Sequence, residues 1–314
     1  MATLADLRTD YHAALIRTLW GQRNKPRSTT PWYVAIEGVN RPVFNTADGH
    51  NPVSVLLSEG IATSVGVPIA VKSGQGTTSG NAFERATSTF IADALDLFSH
   101  LNTRRLITTP PETHFGPRRP LPKRSIGNYA QFEHLVAIQE LVQDNPQLQA
   151  ALGGDYLVKP DILILFEPFS DQDLDRGGAG LGSTTVAGRS AVRRTNSGRP
   201  ILHASISCKW TMRRDRAQNT RLEALNMVRN RKGRLPHIAA VTMECDPEIL
   251  ASLSLGTGDI DCVYHGALTE LIATADSAAA NYGGPWLATR DSLKRMVDVS
   301  RLRDIADLPL DLLI

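Results

Sequence analysis

The chain reads as an α/β protein with a central mixed β-sheet flanked by helices, and three observations carry that reading. The run DILILF (161–166), bounded by Pro160 and Pro168, is continuously apolar and short, as a strand buried on both faces is. LHASISCKW (202–210) and HIAAVTME (237–244) read as two further strands. Between those two, DRAQNTRLEALNMVRNRKG (215–233) is helical by its spacing, with Gly233 placed to cap its C-terminus. Strand, helix and strand in that order predict a crossover within one sheet.

The remaining elements follow the same logic. The first twenty residues form an amphipathic helix interrupted by charge at Asp6, Arg8 and Asp10. Over 81–101, Phe83, Ala86, Phe90, Ala94 and Leu97 recur at helical steps and give one apolar face; 129–144 gives another helix. Two segments break the pattern. Residues 108–124 are dense in proline and basic side chains, and 171–200 in glycine, serine and arginine, so irregular loops are expected near 108–127 and 168–200. A single domain over 1–314 is expected, because a chain of this length can bury one large core.

Composition excludes several functions. With 34 basic against 32 acidic side chains the chain is no polycation, so any nucleic-acid site must be local. Cys208, Cys245 and Cys262 are widely spaced and lack a C-x-x-C pair, which argues against a disulfide framework and a structural zinc site. A reducing, cytoplasmic setting follows. No apolar run is long enough to span a bilayer, so no membrane partner is expected.

The residues that bear chemistry converge on two strand ends. Asp161 heads one strand and Lys209 nearly closes another, so neighbouring strands can bring a carboxylate and an ammonium to one sheet edge. Phosphodiester hydrolysis needs carboxylates to hold Mg²⁺ and a cation to activate water or offset developing charge. Glu223 on the following helix supplies a second acid. It shares a stripe with Arg216, Thr220 and Met227. Singly, each has a bland explanation: a turn aspartate, a strand-end lysine, a solvated glutamate. Their combination in this order is much less common by chance.

PDILILF, SISCKWTMRRDRAQNTRLEAL and NRKGRLPHIAAVT together resemble type II restriction endonucleases of the PD-(D/E)XK superfamily, specifically the NgoMIV type that reads a CCGG centre. The likeness extends through ADGHN (47–51), TSGNAFE (78–84), LGTGDIDCVYH (255–265) and DIADLPLDL (304–312). It implies the restriction-endonuclease fold. It also implies that Ser207 stands where the motif's second acid usually lies and that Glu223 returns that acid from the helix. By the same resemblance Asp161 bridges two Mg²⁺ ions, with Glu223 and the Cys208 carbonyl completing their shells. Lys209 orients or activates the attacking water. Glu84 lies at the site's edge, though a capping-box glutamate answering Asn81 explains it equally well.

The resemblance also assigns DNA contacts. Arg213, Asp215 and Arg216 match the reader of CCGG, a suitable chemistry because arginine donates twice to guanine and aspartate accepts from cytosine N4. Arg214 then faces phosphate. Asp48 matches a reader of the outermost pair, while Ile249 and Thr77 depart from the arginine and glutamine of relatives reading an outer G·C. GCCGGC is the preferred site, with another CCGG-centred site still open. Double-stranded DNA, a homodimer or homotetramer, 5′ extensions and a companion methyltransferase are implied.

Other signals fail. SGQGTTSG (73–80) lacks the P-loop lysine and reads as a flexible loop near DNA. DQDLD (171–175) begins like a calcium loop, but Arg176 replaces the required glycine. His134, His203, His237 and His265 have no ligand spacing, and Cys208 has no histidine to make it a nucleophile. Two rival classes remain at this stage. A structure-specific repair or junction nuclease would need Asp161, Glu223 and Lys209 but not the arginine reader. A non-cleaving DNA-binding module would need the reverse.

Overall fold

The computed structural model describes residues 2–22, 43–68, 77–109, 125–152, 157–178, 180–181, 186–212, 214–256 and 258–314; at 77–79, 151–152 and 214–215 it describes the backbone alone. Among these residues one sheet runs in chain order: β1 (Ile107–Thr108), β2 (Ile162–Phe166), β3 (Ile201–Lys209), β4 (His237–Thr242), β5 (Cys262–His265) and β6 (Leu302–Asp304). β2 pairs antiparallel with both β1 and β3, and the pairs from β3 to β6 are parallel. Both halves are covered on two faces. Ile162–Phe166 is buried throughout, as are Ala239, Ala240, Val241, Val263 and Tyr264, so these strands lack polar alternation.

Helices flank the sheet: α1 (Leu4–Thr18), α2 (Pro52–Val65), α3 (Thr77–Leu97), α4 (His134–Gln143), α5 (Pro146–Leu152), α6 (Asp171–Leu174), α7 (Arg214–Asn230), α8 (Pro247–Ser254), α9 (Leu268–Tyr282), α10 (Pro285–Asp298) and α11 (Leu308–Asp311). The crossover expected between the second and third predicted strands is β3–α7–β4, with a parallel pair at its ends. Gly233 has the left-handed φ of 75° expected of a glycine stop, but it sits beyond Asn230, in the turn into β4.

Two contacts set the frame around the end of β3. Trp210, directly after Lys209, packs edge-on against Trp20 and Phe83, with ring centroids 5.8 and 5.3 Å apart. Each such aromatic pair contributes about 1 kcal/mol beyond its buried area. The Arg8 guanidinium on α1 grips both Glu270 and Asp304, at 2.6 to 2.8 Å, tying the first helix to α9 and β6. Those carboxylates hold Arg8 strongly in its charged form despite the burial that opposes it.

The structure departs from the sequence reading in several places. The predicted 81–101 helix begins at Thr77 and ends at Leu97; Gly80 is tolerated in an opening turn, where little packing is at stake. Asn81 is therefore inside the helix and no cap, which removes the capping-box explanation of Glu84. The 129–144 helix shortens to α4; residues 129–133 form a bend and a turn that follow a 3₁₀ turn at Ile126–Asn128. β1, β5 and β6 are strands that the periodicity did not reveal, being two to four residues long. Residues 110–124 of the basic, proline-rich segment lie outside the described residues, as do 73–76 of SGQGTTSG; Thr77–Gly80 open α3. Within 171–200 there is more order than glycine content suggests: buried Arg193 forms a two-pronged pair with Asp171 at 2.8 Å, and Phe169 bridges to Arg193.

Candidate active site

Asp161 immediately precedes β2, and Lys209 is the last residue of β3. The strands are antiparallel with Ile162 opposite Ile206, so the start of one lies beside the end of the other. Three donors meet on one oxygen of Asp161. Its Oδ2 accepts from Lys209 Nζ at 2.7 Å, from the Cys208 backbone N–H at 2.7 Å and from Ser207 Oγ at 3.4 Å. The other oxygen, Oδ1, accepts no hydrogen bond among the described residues. Burial alone would lower the Lys209 pKa, but the Asp161 charge and hydrogen bond, with a weaker contribution from Glu223, hold it above the usual lysine value. Lys209 is therefore a cation at neutral pH.

α7 brings the second acid across. Thr220, Glu223 and Met227 line a small cleft with Pro160, Ser205 and Ser207, so three members of the predicted stripe face the strand ends. Arg216, the fourth, is exposed in the first turn of α7, about two turns before Glu223. Glu223 is exposed overall. Partial burial of its carboxyl still raises its pKa; Lys209 works against this and the Asp161 charge adds to it. Both charges act on Glu223, which places the three groups in one electrostatic field. Glu223 makes no hydrogen bond or ion pair among the described residues.

Strand alternation separates the two glutamates. Ser207 and Lys209 point to the α7 face and Cys208 to the α3 face. There the Cys208 thiol meets Thr87, and burial pushes its pKa well up, with the Asp161 and Glu84 charges adding to the effect. The thiol stays protonated, which makes a cysteine nucleophile chemically unsuited here. Glu84, partly buried on α3, thus approaches the Asp161 end of the sheet from the side opposite Glu223.

The donor set suits a hard divalent cation. Among the described residues no group of three or more His, Cys, Asp and Glu forms a ready-made cage. Mg²⁺ does not ask for one; it binds through one or two carboxylates and completes its shell with water and substrate phosphate. Asp161 Oδ1 and the Glu223 carboxylate are both open for that purpose.

The sequence-predicted DNA contacts lie farther along. Arg213 is outside the described residues. Arg214 and Asp215 open α7, so the helix begins one residue before the predicted start at Asp215. Asp48 is exposed in the turn before α2; its Oδ1 accepts the His50 N–H at 3.0 Å. It shares no hydrogen bond or ion pair with Asp161, Lys209 or Glu223 among the described residues. Ile249 is buried in α8. Sequence reading passed over Glu244 and Asp246, both buried just past β4. Their signal was a cluster of acids, Glu244 and Asp246 followed by Glu248, in the otherwise largely apolar stretch AAVTMECDPEIL at a strand-to-helix turn.

A mixed sheet with flanking helices, an acid ahead of one strand and a lysine closing its antiparallel neighbour define the restriction-endonuclease fold. A family model described as NgoMIV restriction enzyme matches residues 34–314, and the chain belongs to that family. The type II restriction enzyme NgoMIV of Neisseria gonorrhoeae is 42% identical over 278 residues, covering 87% of this chain and 91% of that protein. The chain is accordingly a type II restriction endonuclease, a site-specific deoxyribonuclease. No helix among the described residues is long and apolar enough to cross a membrane.

Proposed function

We propose that this enzyme makes Mg²⁺-dependent double-strand cuts at a CCGG-centred palindrome, with GCCGGC the preferred site and 5′ extensions as products. The observation that carries the reading is the 2.7 Å contact of Lys209 Nζ with Asp161 Oδ2, beside Glu223 in the same field. Asp161 and Glu223 would hold two Mg²⁺ ions with the Cys208 carbonyl, while Ser207 keeps a third acid out of the cleft. When bound, Mg²⁺ polarises the scissile phosphate and lowers the pKa of water. Lys209 would orient or activate the attacking water and offset charge growing on phosphate oxygen. Glu84 bounds the site from the α3 side. Water attacks directly, with no covalent intermediate.

Arg213 and Arg216 would donate to guanine O6 and N7, and Asp215 would accept from cytosine N4. Arg214 would meet phosphate and Asp48 the outer pair. Arg214, Asp215 and Arg216 fall in the first turn of α7, and the positive end of that helix favours a nearby phosphate, which supports this reading. A twofold-symmetric site asks for two protomers, and the family resemblance favours a homotetramer acting in the cytoplasm, with a methyltransferase protecting host DNA. Plasmid incubated with Mg²⁺, with the ends then mapped, tests this. Discrete fragments ending at CCGG sites support it; a smear, branch-specific cutting, or binding without cutting would contradict it.

A further inference from the structure

A hydrogen-bonded relay joins the segment that carries the arginine reader to the segment that carries Asp48. Glu244 Oε2 accepts the Met212 backbone N–H at 2.8 Å, one residue before Arg213. Its Oε1 accepts the Asp246 N–H at 2.9 Å. The Asp246 Oδ2 accepts from Asn51 Nδ2 at 2.7 Å, and the Asn51 N–H donates to the Asp48 carbonyl at 3.0 Å. Met212, Glu244 and Asp246 are buried. The Met243 N–H also donates to the Trp210 carbonyl at 3.1 Å, so the chain leaving β3 stays stapled to the chain leaving β4 beyond the last sheet pair, Lys209 with Thr242.

Nothing in a packed core requires an acid at this place. Burial pushes the Glu244 carboxyl up to about 7, even though the Asp246 and Met212 N–H groups favour its charge. No cation pairs with it among the described residues. An apolar side chain would fill the space without that cost, but it would leave two buried N–H groups unpaired. The carboxylate accepts from Met212 in the reader segment and from Asp246 in its own turn, and Asp246 in turn accepts from Asn51.

We propose that Glu244 is a positioning residue for recognition: through Asp246 and Asn51 it holds the two base-reading segments at a fixed separation. This rests on the reading of Arg213, Asp215, Arg216 and Asp48 as base contacts. Base readout is sensitive to such spacing, because a bidentate contact is lost when its donor moves by a fraction of a hydrogen-bond length. Glutamine at 244 would set an amide donor against one of the two N–H groups. Serine at 51 keeps the cap on α2, where Asn51 Oδ1 now accepts the Val53 N–H at 2.9 Å, but breaks the link to Asp246.

The test measures cleavage and binding on duplexes that hold every outer base pair around CCGG, well below each variant's melting temperature. Glu244→Gln and Asn51→Ser are each expected to reduce discrimination between the best and next-best outer pair by about tenfold, within the range one good base contact supplies. Asn51→Ser is expected to change the melting temperature little, so it reports even if Glu244→Gln folds poorly. Wild-type discrimination in Asn51→Ser, or in a folded Glu244→Gln, would overturn the proposal, as would lost stability alone. Asp48→Ala and Arg216→Ala are run beside them. If neither alters base preference, the reading of the base contacts fails; if both do and the relay variants do not, only the positioning role fails.

Discussion

Asp161 and Glu244 are both acids at the ends of strands in one sheet, yet the molecule treats them oppositely. Asp161 is partly exposed, sits 2.7 Å from a lysine and keeps one oxygen open. Glu244 is buried, has backbone N–H groups as its partners and pairs with no cation among the described residues. The contrast separates a carboxylate that can meet a ligand from one that can only hold the fold. An acid facing a cation and an open side is equipped for chemistry; an acid enclosed by backbone donors fixes geometry.

The largest expected effect breaks the first half of that contrast. Asp161→Ala should lower cleavage by at least about 10³-fold, the scale seen when a group acting on the reacting atoms is removed. Specific binding should survive, as read by gel shift on a cognate duplex without metal. Glu223→Gln should cost about 10²-fold or more in cleavage and yet raise the melting temperature at neutral pH. Its folded pKa is raised above the usual 4.5, so the fold disfavours the charged form. The gain in stability should therefore be present above that pH and disappear below it.

Glu244 sharpens the other half through pH. Its folded pKa near 7 exceeds the ordinary 4.5, so the native state binds the extra proton between those values. The stability it contributes is complete below about 4.5 and is lost as pH rises towards about 7, a fall of ~3 kcal/mol. Glu244→Gln should lack that slope in denaturant titrations run across the window. Arg216→Ala should have the smallest effect on the fold and weaken discrimination for the CCGG centre by about 1–3 kcal/mol, read from relative cleavage of one-base variants.

Much of the candidate site was legible in the sequence because its residues sit on long regular elements. Asp161 follows a proline at a strand that declares itself by five apolar residues, and Glu223 falls on a stripe that the α7 helix preserves. The resemblance to the restriction enzymes named Ser207 and Glu84, which no periodicity would single out. What stayed hidden depends on contacts between distant segments. The short strands β5 and β6 have no period long enough to recognise, and they exist because parallel neighbours pair with them. The relay from Glu244 to Asn51 joins residues far apart in the chain. Order around Arg193 arises from its guanidinium, which pairs with Asp171 and donates to the Val186 and Leu181 carbonyls, and this overrides the glycine and serine composition around it.

The central claim is that Asp161 and Glu223 serve one ion-binding centre beside Lys209. A double-mutant cycle on the single-turnover cleavage rate, with Asp161→Asn, Glu223→Gln and the pair, measures this directly. Groups acting as a unit give strongly non-additive losses, so the double variant should be no slower than the worse single one. Losses that multiply across the two sites would show that the acids act independently and would contradict a shared centre.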